Sequence, residues 1–63
     1  MTLENVLKMI VGNQPVVIHL TESGDEISGT ADVLNNYICV ELANAEILEI
    51  GISNYQLKVW VKE

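Results

Sequence analysis

Apolar and polar residues alternate along this chain in short, regular runs. Leu3, Val6, Leu7 and Ile10 fall at i, i+3, i+4 and i+7, one apolar stripe of a helix. Thr2 is placed to cap it, Glu4 sits in the first turn, and Gly12 follows the last periodic residue. The spacing predicts an amphipathic helix over residues 3–11. So short a helix must lie on something apolar.

After Pro15 the period changes to two. Val16, Ile18 and Leu20 share one face of a strand, with Val17 and His19 on the other. Thr21 to Asp25 read as a turn around Gly24. Ile27, Gly29, Ala31 and Val33 then alternate with Glu26, Ser28, Thr30 and Asp32, which predicts a second strand. Gly29 inside that run predicts a bend or a close backbone crossing. Asn35-Asn36 reads as a hairpin turn, because asparagine tolerates positive φ. A third strand is expected from Tyr37 to Leu42, then a turn at Ala43-Asn44-Ala45. Ile47 to Ile50 form a fourth strand, nearly apolar on both faces. After a break at Gly51 to Asn54, Tyr55 to Val61 form a fifth. There Tyr55, Leu57, Val59 and Val61 oppose Gln56, Lys58 and Trp60.

One short helix and five antiparallel strands are too few for a sandwich. The expected fold is mainly β: a five-stranded antiparallel SH3-like barrel, one domain over residues 1–63, with the helix closing an open end.

The run from Val16 to Leu42 resembles the first motif of the Sm-like (LSm/Hfq-like) family. That motif reads apolar-x-apolar-x-Leu, Gly-x-x-apolar-x-Gly, then Asp-x-x-Met-Asn-apolar-x-Leu. Here the matching residues are Val16 to Leu20, Gly24, Ile27 and Gly29, then Asn35, Ile38, Cys39, Val40 and Leu42. The resemblance implies a small barrel that joins others into a ring, the fourth strand of one copy pairing with the fifth of the next. Ile47, Leu48, Ile50, Leu57, Val59 and Trp60 would then form the oligomer or partner interface.

The family's RNA-binding residues are not carried over. Asn35 and Cys39 stand where the family places the Asp and Asn that hold a base. Glu49 and Ile50 stand where it carries an Arg-Gly or Lys-His pair.

Charge sharpens this. The chain has nine acidic residues against three Lys and Arg, a net charge of −6. All three are lysines, and none lies between Met9 and Leu57. Phosphate neutralisation needs clustered cations, so RNA and anionic membranes are disfavoured. A basic protein partner fits the charge. Apolar residues make up 49% of the chain, more than so small a fold can hide, which favours a homo-oligomer.

Cys39 is the only cysteine, so no internal disulfide forms. His19 and Cys39 are too few for a structural zinc site, and no cofactor is expected. No nucleophile–base pair or phosphate loop suggests an enzyme. The N-terminus is neither basic nor followed by a long apolar run, no stretch reaches membrane-helix length, and the lone thiol suits a reducing compartment; together these predict a cytoplasmic protein.

The leading expectation is a non-catalytic interaction or scaffold module that self-assembles through its edge strands and binds a protein. A second is a divergent Sm-like RNA binder using Asn35, Asn36, Tyr37, Ser53 and Asn54 at a pore. A third is an acidic decoy that inhibits a nucleic-acid-binding protein.

Overall fold

Thr2 starts the first helix as its sequence suggests. Thr2 Oγ1 accepts from the Asn5 amide at 3.3 Å, and Asn5 Oδ1 accepts from the Thr2 amide at 3.2 Å. This reciprocal box caps α1, Leu3–Met9, which buries Leu3, Val6 and Leu7. The computed structural model describes residues 1–62. Helix α1 stops earlier than Gly12: Ile10 is already extended, with φ −104° and ψ 160°, and packs its side chain against the core. Gly12 serves another contact. Its carbonyl accepts from the Asp32 amide at 3.0 Å, and a Cβ there would lie 3.3 Å from Asp32 Cβ.

Strand β1, Pro15–Leu20, turns at Gly24 (φ +79°) into antiparallel β2, Glu26–Thr30. Two short helices follow, α2 at Ala31–Tyr37 and α3 at Val40–Ala43. Then come β3, Glu46–Ser53, and β4, Gln56–Lys62. The strand order is β2-β1-β4-β3, with β1 and β4 parallel and both outer pairs antiparallel.

The expected five-stranded antiparallel barrel is therefore corrected to a four-stranded, mixed, open sheet with three short helices. The β-rich character and the N-terminal helix stand. The error lies between Ala31 and Ala43. Strand β2 ends at Thr30, and Ala31, Leu34 and Ile38 follow at i, i+3 and i+7, a helical stripe packed on the core. Asn35-Asn36 is thus a helical turn rather than a hairpin, and Asn36 Nδ2 donates to the Asp32 carbonyl at 2.9 Å. The expected third strand, Tyr37 to Leu42, is instead the last residue of α2, the link at Ile38 and Cys39, and the first three residues of α3.

Gly29 makes no bend. It pairs regularly with Val16, and a Cβ there would stand 3.4 Å from Leu34 Cγ and Cδ2. Leu34 of helix α2 thus packs directly over Gly29.

The core lies between the helices and one sheet face. It joins Leu3, Val6, Leu7, Ala31, Leu34 and Ala45 to Val16, Ile18, Val59 and Val61. Strand alternation sends Val17, His19, Lys58 and Trp60 to the opposite face. That face carries no helix of the core.

Candidate functional site

The two-residue turn at Asn54–Tyr55 sets the geometry of the β3 edge. Both residues have positive φ, 53° and 65°, the type I′ hairpin conformation. Such a turn closes on a hydrogen-bonded pair, here Ser53–Gln56. Bonded and non-bonded pairs alternate from there. Ser53, Gly51 and Glu49 therefore bond to β4. Ile52, opposite Leu57, and Ile50, opposite Val59, direct their backbone groups away from β4.

The far end of β3 is already covered. The Ile47 amide donates to the Met1 carbonyl at 3.1 Å, and Thr2 bridges to Glu46. A bulge at Leu48 follows, where the register slips between Ile47 and Glu49. Among the described residues no strand covers the edge from Leu48 to Ser53.

This uncovered stretch is apolar. Leu48 is 53% exposed, Ile50 46% and Ile52 78%. Edge strands usually carry lysine, proline or inward-pointing charge against accidental pairing. Here only Glu49 does so. The other edge, β2, has five residues, with Glu26, Ser28 and Thr30 on its open face.

Ile52 continues into a groove of about 490 Å³, lined by Met9, Ile10, Val11, Gln14, Tyr55 and Leu57. Gln14 Nε2 donates to the Tyr55 carbonyl at 2.9 Å and ties the hairpin tip to the start of β1. Tyr55 itself is 92% exposed.

On the open face, register sets Glu26, His19, Trp60 and Glu49 in one row across all four strands. His19 Nδ1 lies 2.8 Å from Glu26 Oε2, and its ring stacks on Trp60. His19 Nε2 is buried without a hydrogen-bond partner. The far edge of the indole covers Gly51, where a Cβ would stand 3.5 Å from Trp60 Cζ3. Trp60 thus bridges from β1 to the β3 edge.

The residues expected at an RNA pore fall in two elements, the second half of α2 and the β3–β4 hairpin. Helix α2 starts beside Gln14, through the Ala31 amide, and its seven residues run about 10 Å from there. Asn35, Asn36 and Tyr37 lie at its far end. Ser53 and Asn54 lie at the hairpin tip that Gln14 holds. Of the expected interface residues, Leu48 and Ile50 are exposed on β3, while Ile47, Leu57 and Trp60 are half-buried. Val59 is fully buried in the core. The strands matching the expected fourth and fifth pair within one chain, and β4 has neighbours on both sides.

The interface residues expected from the sequence do not include Ile52 or Tyr55. Their signal was available in Ile50-x-Ile52 followed by Asn54, a residue suited to positive φ.

Among the described residues no group of three or more His, Cys, Asp or Glu could hold a metal. None of the helices is long and apolar enough to cross a membrane. Cys39 is exposed.

No protein-family model matches the chain, and no curated protein or solved structure matches it either.

Proposed function

We propose that this protein is a non-catalytic interaction module that assembles through the free edge of β3. The carrying observation is that edge: Ile50 and Ile52 are exposed, and their backbone groups point outward. Unpaired amides and carbonyls beside apolar side chains form a template for strand addition. The net charge of −6 suits a basic protein as the client of the assembled scaffold.

The test is the mass in solution, by light scattering behind a sizing column, across protein concentrations and at two salt concentrations. The expected result is a mass above one chain that falls to one chain in Ile50→Lys, whose far-UV spectrum stays unchanged. A single-chain mass for the unaltered protein under all conditions would overturn this reading.

A further inference from the structure

We propose that two copies pair their β3 strands antiparallel about a two-fold axis at Gly51, making one continuous sheet. This rests on the reading of β3 as the docking edge and names its occupant, a second copy of the chain.

The backbone selects the register. Ile50 and Ile52 are the regular residues whose N–H and C=O point outward. Centring on Gly51 sets Ile50 opposite Ile52 of the second copy, twice by symmetry. Each such pair exchanges two backbone hydrogen bonds. Centring on Ile50 would instead draw the Leu48 bulge into the ladder. Centring on Ile52 would set Ile50 against the turn residue Asn54. Centring on Glu49 would oppose two carboxylates, which destabilises a pair.

The side chains agree with this choice. The four isoleucines of the two copies form one apolar cluster on the helix-bearing face, since Ile50 and Ile52 lie opposite Val59 and Leu57. On the open face Glu49 meets Ser53, a hydroxyl donor, rather than another acid. The two glycines face each other at the axis as a non-bonded pair, with Cα atoms about 4.5 Å apart. The indole of Trp60 already overhangs Gly51, so the two indoles converge there.

Pairing β3 with β2 of another copy is the alternative. Strands β2 and β3 run in the same direction, so such a contact, with the helices of both copies on one face of the sheet, would be parallel and limited to the five residues of β2. Antiparallel pairing is the stronger per residue. It also closes after two copies, because a two-fold contact uses each edge once. Both copies are acidic, so salt should strengthen the association by screening their repulsion.

The experiment uses the full chain with Cys39→Ser, carrying either Ile50→Cys or Ile52→Cys, one of them ¹⁵N-labelled. The variants are mixed, oxidised and read by mass spectrometry, beside light scattering of the unlinked chains. Opposed positions suit a disulfide, whereas diagonal ones lie about 7–8 Å apart, so the mixed product should form about tenfold faster than either homodimer. Equal homodimer and mixed products, or an assembled mass with no cross-link, would overturn this pairing and leave the edge reading standing. A single-chain mass would overturn both.

Discussion

His19 and Trp60 stack across the parallel β1–β4 pair, with ring centroids 4.7 Å apart and planes 9° from parallel. Glu26 holds the far side of the imidazole. The stack buries polar and apolar ring surface on a sheet face that no helix of the core protects. Such aromatic pairs contribute about 0.5–1.5 kcal/mol beyond their buried area. A double-mutant cycle with His19→Ala and Trp60→Ala, read by urea unfolding, should show coupling of that size. Additive single effects would mean the rings are merely adjacent.

Leu34 and Gly29 form the contact that seats α2 on the sheet. Leu34 is almost fully buried, and truncating such a leucine costs about 2–5 kcal/mol. Stabilities run near 0.05–0.15 kcal/mol per residue, about 3–9 kcal/mol for a chain this size. Leu34→Ala should therefore lower the melting temperature severely or leave the chain largely unfolded. Gly29→Ala should be tolerated, because a Cβ at 3.4 Å makes ordinary contact. Gly29→Ile should lose about 1–3 kcal/mol by displacing Leu34. Circular dichroism melts of the three variants separate these outcomes.

The same contact shows why the sequence was only partly legible. Local patterns sufficed for α1, β1, the Gly24 turn and the start of β2. They also showed Ile47 to Ile50 as apolar on both faces. Ile27, Gly29, Ala31 and Val33 continue a period of two past the point where the chain turns helical. Ala31, Leu34 and Ile38 support a helix equally well, and only packing of Leu34 over Gly29 decides between them. Strand order was beyond reach for a different reason. That β4 inserts beside β1 depends on long-range pairing such as Ile18 with Val59, which no local window contains. The exposed Ile50 and Ile52 follow from that order, since it makes β3 an edge.

Tyr55 breaks a local rule at the hairpin tip. Its φ of 65° is left-handed backbone, which a side chain with Cβ occupies at a cost of about 1–2 kcal/mol. It is almost wholly exposed, so little packing offsets this. Glycine would keep the carbonyl that Gln14 holds and remove the strain. Tyr55→Gly should raise stability by about 1 kcal/mol in urea unfolding, with the β3–β4 register unchanged. A loss of stability would mean that the ring contributes packing to the groove beside Met9 and Ile52.

Asp32 gives the fold a defined acid response. The Thr30 hydroxyl donates to its Oδ1 at 2.6 Å, and the Val33 amide donates at 2.8 Å. These bonds favour the charged form, the Thr30 bond most, and hold the carboxyl below its ordinary value of 3.8. A folded value below the unfolded one means the unfolded chain binds the proton first as pH falls. The contribution is therefore fully present above the ordinary carboxylate range and is lost as pH drops through the folded value. Asp32→Asn should be less stable than the unaltered protein at neutral pH, and the difference should narrow below pH 3.8. Melting curves of both proteins from neutral to strongly acid pH measure it. Parallel curves throughout would show that Thr30 and Val33 do not act through the charge of Asp32.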